Sequence, residues 1–163
     1  MTAALPFRIG HGFDAHRFAA GRPLILGGVR IREDNGLAGY SDADVLTHAV
    51  IDAVLGAMAL GDLGAHFPPG DPQWKDAASL DLLDRVREMV AAAGGQVAQV
   101  DAVLYLEQPR VAPHVDRMRS NLAKILELAI TEVSVKATTT EGMGFVGRAE
   151  GAAATAVVLV ATG

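Results

Sequence analysis

One segment of the sequence predicts a helix that is apolar around most of its circumference. This helix is expected to begin near Ser41 and to end near Leu60, just before Gly61. Ser41 is the predicted N-cap, and Asp44 three residues later completes a start that resembles a capping box, with Asp in place of the preferred Glu. Its apolar residues are Val45, Leu46, Ala49, Val50, Ala53, Val54, Ala57 and Met58. Because these residues leave no broad polar face, we expect the helix to be buried on more than one side.

The other periodic segments predict further strands and helices. Strands are predicted at 7–14, 24–26, 29–31, 97–106, 133–137 and 152–160, and helices at 79–93 and 113–128. The order is therefore β-β-β-α-α-β-α-β-β, with no internal repeat and no linker. This order favours one α+β domain over residues 1–163, a sandwich in which a mixed sheet carries helices on one face. The small residues and valines of 152–160 are typical of a central strand.

Glycine and proline mark the connections between these elements. Gly27 and Gly28 lie between two short apolar runs, which predicts a hairpin. Residues 61–72 contain three glycines and three prolines, too many for a regular element. We expect a long loop there, of the kind that forms lids or binding segments. Residues 142–151 are also predicted to form a loop.

Composition and charge exclude several classes of function. The net charge is -5, so binding to nucleic acid through a basic surface is not expected. The chain has no cysteine, so a metal site would have to use histidine and carboxylate side chains. No apolar run approaches the length of about 18 residues that a membrane helix needs, and the start of the chain lacks the pattern of a signal peptide. We therefore expect a cytoplasmic protein with no membrane segment.

Asp14 and His16 are candidate metal ligands. They are two residues apart in a predicted strand, so their side chains point to the same face. With His48 from the apolar helix they would form an O/N/N set with an open fourth position, which is typical of catalytic zinc. A lone helical histidine is more often a core residue that is satisfied by a backbone carbonyl, although Asp44, one turn earlier, could orient its ring. His66 in the long loop is interpreted as a solvated side chain rather than a further ligand.

Four separated segments resemble one enzyme family. They are Gly-His-Gly-Phe-Asp-Ala-His at 10–16, Ser-Asp-Ala-Asp-Val at 41–45 with His48, Gly-Asp-Leu-Gly at 61–64 with Phe67 and Pro68, and Lys-Ala-Thr-Thr-Thr-Glu at 136–141 followed by Gly-Phe-Val-Gly-Arg-Ala-Glu-Gly at 144–151. In this order and at these separations they resemble the 2-C-methyl-D-erythritol 2,4-cyclodiphosphate synthases of the non-mevalonate isoprenoid pathway. The resemblance extends over essentially everything after Pro6.

The resemblance implies an architecture and a reaction. It implies a homotrimer in which each subunit has a four-stranded sheet with helices on one side, and in which the active sites lie between subunits. The implied enzyme is a cyclising phosphorus–oxygen lyase. It converts 4-diphosphocytidyl-2-C-methyl-D-erythritol 2-phosphate into 2-C-methyl-D-erythritol 2,4-cyclodiphosphate and releases CMP. The implied cofactors are Zn²⁺ together with Mg²⁺ or Mn²⁺.

The resemblance also implies metal-binding and catalytic roles. Glu141 corresponds to the carboxylate that holds the second divalent ion against the substrate diphosphate. Thr139 corresponds to a residue that donates its hydroxyl to the transition state, and Tyr40 occupies the position of a histidine that can contact a substrate phosphate. The residues that correspond to the zinc ligands are Asp14, His16 and His48.

Substrate-binding roles are implied for several segments. Residues 106–111, with residues 137–139 supplied by another subunit, correspond to the cytidine pocket. Residues 62–64 correspond to the segment that grips the methylerythritol hydroxyls, and residues 67–71 to the lid beside it. Arg148 corresponds to a phosphate-binding cation. The implied substrate-binding residues are Asp14, His16, Tyr40, Ser41, Asp62, Leu63, Gly64, Phe67, Asp71, Leu106, Pro109, Val111, Ala137, Thr138, Thr139, Thr140, Glu141, Phe145 and Arg148.

The chain departs from the family pattern at two places near the predicted site. Tyr40 replaces the usual histidine before Ser41, and the lid reads Phe-Pro-Pro-Gly-Asp at 67–71 instead of the usual Phe-Pro-Asp-Thr-Asp. The segment from Glu107 to Arg110 is also only loosely similar to the family. These departures bear on rate and affinity more than on the class of reaction.

Two other functions are compatible with the same residues. One is a catalytically impaired trimer that binds isoprenoid diphosphates in an axial cavity near Phe13, Arg148 and Glu150, as the resemblance would allow. The other is a zinc hydrolase that uses the three predicted ligands and a water molecule.

Overall fold

In the computed structural model, which describes residues 5–163, the apolar helix packs across a mixed sheet. The domain predicted for residues 1–163 includes residues 1–4, which lie outside the described residues. The strands are β1 Phe7–Ala19, β2 Leu24–Leu26, β3 Val29–Arg32, β4 Gly36–Leu37, β5 Gly95–Tyr105, β6 Val133–Thr138 and β7 Gly151–Thr162. The helices are α1 Val45–Ala57, α2 Leu63–His66, α3 Ser79–Ala92, α4 Val115–Leu126 and α5 Gly144–Gly147, with 3₁₀ turns at Pro72–Trp74, Ala112–His114 and Ile130–Glu132.

Strand β7 is central, as its composition predicted. Within residues 5–163 the larger sheet has five strands in the order β4-β1-β7-β5-β6. The expected number of four is wrong because the two-residue β4 pairs with the end of β1. Strands β1 and β5 run antiparallel to β7, whereas β5 and β6 are parallel. The predicted hairpin is present, and Gly27 and Gly28 form its turn with φ angles of 57° and 68°, which glycine adopts without strain.

Helix α1 begins later than predicted. The N-cap is Asp44 and not Ser41, because the Asp44 carboxylate accepts a hydrogen bond from the backbone N–H of Thr47 at 3.1 Å. The hydroxyl of Ser41 is turned towards the ring of His48 instead, with Oγ 3.2 Å from Nε2. The helix ends at Ala57, three residues before the expected end. It is buried along almost its whole length, as its apolar pattern indicated.

Two segments that were predicted to be loops contain short helices. In residues 61–72, the carboxylate of Asp62 accepts a hydrogen bond from the N–H of Ala65 at 2.8 Å and so caps α2. Asp71 caps the following 3₁₀ turn. Residues 142–151 contain α5. In residues 61–72, side-chain caps therefore form helical turns although the glycines and prolines argue against a longer element.

The helices cover one face of the sheet. Helix α1 packs on β1, β7 and β5, helix α3 packs on β5, and helix α4 packs on β6. The opposite face leaves large apolar side chains exposed, with Ile9 66%, Phe13 55% and Val157 46% accessible. In the described part of the chain, no helix combines the length and the apolar character that crossing a membrane requires. The cytoplasmic location stays a prediction.

Candidate functional site

Strand β1 presents Asp14 and His16 towards α1. The two side chains lie on the strand face that also carries Gly10. A Cβ atom at Gly10 would lie 1.8 Å from the carbonyl oxygen of Ala53, so a larger residue there would push α1 away. The absence of a side chain at Gly10 therefore lets α1 approach the strand closely enough for His48 to reach Asp14.

The three predicted zinc ligands meet at one point. Asp14 Oδ2 lies 2.8 Å from His16 Nε2 and 2.9 Å from His48 Nδ1, and the two ring nitrogens are 3.2 Å apart. A tetrahedral ion with bonds of about 2.0–2.2 Å places its ligand atoms about 3.3–3.6 Å from one another, so the three atoms are close to the required spacing. We call these three side chains the metal triad. The strand and helix patterns in the sequence predicted that they would lie together.

The far side of each imidazole ring is held by another group. His16 Nδ1 lies 2.6 Å from the carbonyl oxygen of Ala38, which can only accept a hydrogen bond. His48 Nε2 lies 2.9 Å from Ser79 Oγ and 3.2 Å from Ser41 Oγ. The ring of His48 is therefore satisfied by side chains, and the alternative of a core histidine bonded to a backbone carbonyl is wrong.

Asp44 does not orient the ring of His48, so that prediction is also wrong. Its carboxylate accepts hydrogen bonds from the backbone N–H groups of Gly27, Gly28 and Thr47 and from the Thr47 hydroxyl. The side chain thus points towards the β2–β3 turn rather than along the helix towards His48. Its role is to join this turn to the start of α1.

With both imidazole rings neutral, the metal triad would bring three hydrogen-bond acceptors face to face. When the Nδ1–H of His16 donates to Ala38, its Nε2 carries only a lone pair. When Nε2–H of His48 donates to the serine hydroxyls, its Nδ1 likewise carries only a lone pair. Both lone pairs point at the carboxylate of Asp14. A cation between them would relieve this repulsion, and two imidazole nitrogens with one carboxylate oxygen suit Zn²⁺.

The pKa values also show that this point favours positive charge. Burial raises the pKa of Asp14, but hydrogen bonds with His16 and His48 outweigh burial and bring the pKa below its usual value. Burial lowers the pKa of His16, but its hydrogen bond and attraction to Asp14 outweigh burial and bring the pKa above its usual value. The same carboxylate therefore attracts a proton when no metal ion is bound.

The metal triad lines a cavity of about 240 Å³, which we call the first cavity. Its other walls are mainly apolar, and Phe67 and Trp74 meet edge to face with ring centroids 5.0 Å apart. Two carboxylates that were predicted to bind substrate, Asp62 and Asp71, cap the neighbouring helical turns and are not part of this wall. The lining residues outside the metal triad are Tyr40, Ser41, Leu63, Gly64, Phe67, Pro69, Trp74 and Leu82.

A second cavity, of about 280 Å³, lies beyond the carboxyl ends of β5 and β6. Its lining residues are Leu106, Glu107, Pro109, Arg110, Val111, Ala112, Ala137, Thr138 and Thr139. The expectation that residues 137–139 reach residues 106–111 from another subunit is wrong. The two strands pair in parallel, with Tyr105 opposite Thr138, so their carboxyl ends meet within one chain.

Glu107 ties the two walls of the second cavity together. Its Oε1 accepts hydrogen bonds from the backbone N–H of Thr140 at 3.0 Å and from the Thr140 hydroxyl at 3.4 Å.

Glu141 follows Thr140 with a φ of 53°, and its N–H donates to Thr139 Oγ1 at 3.3 Å. Among the described residues, Glu141 is not grouped with the metal triad. Its predicted metal site is therefore separate from the triad within one subunit.

The remaining predicted residues lie on the surface. Arg148 Nε donates to Glu150 Oε1 at 2.6 Å, and both side chains are exposed. Phe145 is exposed on α5. None of the lining residues described for the first cavity also lines the second. One subunit therefore does not gather all the predicted residues into one pocket.

Sequence reasoning missed several residues that shape the site. Asp52 accepts a hydrogen bond from the N–H of Leu63 in the wall of the first cavity, and its position four residues after His48 was an available signal. Trp74 lines the first cavity and Ser79 contacts His48. The sequence places Ser79 only at the start of a predicted helix, because a contact between distant segments leaves no local pattern.

Comparisons with known proteins identify the family of this chain. Residues 7–161 match the YgbB family. A relative from Salinibacter ruber is 61% identical over 153 residues, which cover 94% of this chain and 98% of the relative. A relative from Moorella thermoacetica is 56% identical over 153 residues, which cover 94% of each chain. Both are named 2-C-methyl-D-erythritol 2,4-cyclodiphosphate synthase. The chain belongs to the YgbB family, which confirms the resemblance found in its sequence.

Solved structures show the same α+β fold. The bifunctional IspDF from Campylobacter jejuni matches with a TM-score of 0.93 and 39% identity, over 96% of this chain and 42% of that chain. A 2C-methyl-D-erythritol-2,4-cyclodiphosphate synthase in a CDP-bound form matches with a TM-score of 0.85 and 36% identity, over 94% of this chain and 99% of that chain. The α+β fold predicted from the sequence is confirmed.

Proposed function

We propose that this protein converts 4-diphosphocytidyl-2-C-methyl-D-erythritol 2-phosphate into 2-C-methyl-D-erythritol 2,4-cyclodiphosphate and releases CMP. The observation that carries the proposal is the metal triad in the wall of the first cavity, in a chain whose relatives are named as this synthase. A related solved structure holds CDP, which supports the second cavity as the nucleotide pocket. The enzyme would be a cyclising phosphorus–oxygen lyase.

The reaction depends on positioning rather than on a strong base. An oxygen of the substrate 2-phosphate, already ionised at neutral pH, attacks the diphosphate phosphorus that is attached to the methylerythritol. A new phosphorus–oxygen bond forms while the bond from that phosphorus to the CMP oxygen breaks, and CMP leaves with the electron pair. Water is not consumed. Because two anionic groups must meet, the site has to hold them in line and offset their charge.

The metal triad has the donor set for Zn²⁺, and the exposed carboxylate of Glu141 can hold Mg²⁺ or Mn²⁺. When bound, these ions offset the charge of the phosphates and align the attacking and leaving oxygens. Thr139 can donate its hydroxyl to a phosphate oxygen from the wall of the second cavity. Tyr40 can donate its hydroxyl from the wall of the first cavity.

The two cavities separate the two ends of the substrate. Apolar residues of the second cavity, such as Leu106, Pro109 and Val111, suit the cytidine ring. Leu63 and Gly64 in the first cavity suit the methylerythritol unit, where backbone groups can bind hydroxyls. The diphosphate would then lie between the cavities.

We also infer that the protein forms a homotrimer with active sites between subunits. Support comes from the exposed apolar side chains of Ile9, Phe13 and Val157 on the sheet face opposite the helices, since such a patch marks an interface. It also comes from the separation of the two cavities in one chain. Sedimentation should give a trimer, and mixing Asp14→Ala with Thr139→Ala subunits should restore some activity. A fully active monomer would contradict this assembly.

Turnover of the purified protein tests the proposed function. With substrate, Zn²⁺ and Mg²⁺ it should release CMP, and a chelator should stop the reaction. Binding of isoprenoid diphosphates without CMP release would favour the impaired trimer, an alternative for which the named relatives give no support. Release of CMP with a linear second product would favour the zinc hydrolase.

A further inference from the structure

We propose that Asp42 and Ser79 are positioning residues that fix the tautomer of His48 and so set the affinity of the metal triad for its ion. This inference rests on the metal site of the proposed function. Neither residue lines the first cavity, and neither belongs to the metal triad. They act through His48, which Ser79 contacts from the buried side.

Ser79 lies between His48 and Asp42. It is fully buried at the start of α3, and its Oγ lies 2.9 Å from His48 Nε2. Its hydroxyl donates a hydrogen bond to Asp42 Oδ1, and its backbone N–H donates to Asp42 Oδ2 at 3.0 Å. Both oxygens of the Asp42 carboxylate are thus held by the same serine.

The direction of these hydrogen bonds determines where the His48 proton lies. A serine hydroxyl has one proton, and the carboxylate of Asp42 can accept it but has none to return. Once Ser79 donates to Asp42, its oxygen can only accept from His48. The ring must therefore carry its proton on Nε2, which leaves the Nδ1 lone pair directed at the metal position beside Asp14. The negative charge of Asp42, passed through the hydrogen bonds from Ser79 to His48, also makes Nδ1 a stronger electron donor.

The hydroxyl of Ser79 is not needed to start α3. The first N–H of this helix is already satisfied by Asp42 Oδ2, and Ala78 at the N-cap makes no side-chain cap. The bond from the hydroxyl to Oδ1 is additional to this cap. Ser41 Oγ is the other group beside His48 Nε2, but its longer separation of 3.2 Å makes it the weaker acceptor.

The inference is tested by measuring the zinc dissociation constant through competition with a chelator. Ser79→Ala should bind zinc about 10- to 100-fold more weakly than the unmodified protein, the range for losing such a partner of a ligating histidine. Asp42→Asn keeps an oxygen that can accept from the Ser79 hydroxyl but loses the charge, so its zinc affinity should fall less than that of Ser79→Ala. The matched control is Thr47→Val, which removes the buried hydroxyl of the residue before His48; among residues 5–163 this hydroxyl bonds only to Asp44. This control should bind zinc as tightly as the unmodified protein.

An unchanged zinc affinity in folded Ser79→Ala would overturn the inference. A different result marks failure of the metal site itself: the unmodified protein would not bind zinc, or His48→Ala would bind it equally well. Nitrogen-15 NMR of the unmodified protein before zinc is added, at alkaline pH where the ring is neutral, gives a test that needs no variant. It should show the His48 proton on Nε2, and a proton on Nδ1 would overturn the inference.

Discussion

The carboxylate of Asp52 accepts a hydrogen bond from the backbone N–H of Leu63 at 2.8 Å. Asp52 lies four residues after His48, so the two side chains project from neighbouring turns of α1. Leu63 and Gly64 in turn form part of the wall of the first cavity. This hydrogen bond therefore ties the cavity wall to the helix that holds a member of the metal triad.

Replacing Asp52 by Ala should loosen this wall. The N–H of Leu63 would lose its partner, which costs about 1–2 kcal/mol, and kcat/KM should fall about 5- to 30-fold. Asp52→Asn is the matched control, because its amide oxygen can still accept the hydrogen bond and the fall should be smaller. Steady-state kinetics of the two variants check the prediction, and equal kinetics in Asp52→Ala and the unmodified protein would show that the bond does not support the site.

Replacing His48 by Ala should remove the bound metal. The unmodified protein should hold about one zinc ion per chain, and the variant should hold none, because Asp14 and His16 alone leave only two ligands. His66→Ala is the control, since His66 Nε2 bonds to the carbonyl oxygen of Leu60 at 2.7 Å away from the triad. Elemental analysis measures both variants. Stoichiometric zinc in His48→Ala would contradict the assignment of the triad.

Replacing Asp44 by Ala should destabilise the fold more than it affects any binding step. The change removes the cap of α1 and leaves the N–H groups of Gly27, Gly28 and Thr47 without their acceptor. Loss of a cap and of buried partners predicts a decrease of about 2–4 kcal/mol in the free energy of unfolding. Thr47→Val, which loses only the hydroxyl bond to Asp44, should lose about 1 kcal/mol. Urea denaturation that gives the two variants the same stability would argue against this role.

Removing the hydroxyl of Tyr40 tests the departure from the family pattern. Tyr40 lines the first cavity with the metal triad, so its hydroxyl can reach a substrate phosphate there. A phenol offers a hydrogen-bond donor but no positive charge, unlike a protonated histidine. Tyr40→Phe should lose about 1–3 kcal/mol of transition-state binding, which lowers kcat/KM about 5- to 150-fold. Unchanged kinetics would mean that the hydroxyl points away from the phosphate.

The sequence predicted the residues of the metal triad because each lies in a strongly periodic segment. Alternation along a strand places Asp14 and His16 on one face, and the apolar helix makes a polar ring at His48 conspicuous. Their close approach depends on Gly10, since a Cβ atom there would collide with Ala53. That requirement is a property of two packed elements, and neither segment alone reveals it.

Other features could not be predicted because they depend on contacts between distant segments. Asp44 has the spacing to assist His48, but the turn at Gly27 and Gly28 competes for its carboxylate. Ser79 lies at the start of a predicted helix, and its contact with His48 spans 31 positions of the chain. The short helix α2 was missed because the cap by Asp62 outweighs the nearby glycines over a single turn.

The origin of the oxygen atom in the new phosphorus–oxygen bond tests the proposed function most directly. If the substrate's own 2-phosphate attacks, no oxygen from water enters either product. The purified protein with Zn²⁺ and Mg²⁺ can be given the substrate in water enriched in oxygen-18, and both products analysed by mass spectrometry and phosphorus-31 NMR. The account predicts CMP and a cyclic diphosphate that both lack oxygen-18. A linear phosphate product that carries oxygen-18 would contradict it and identify the protein as a hydrolase.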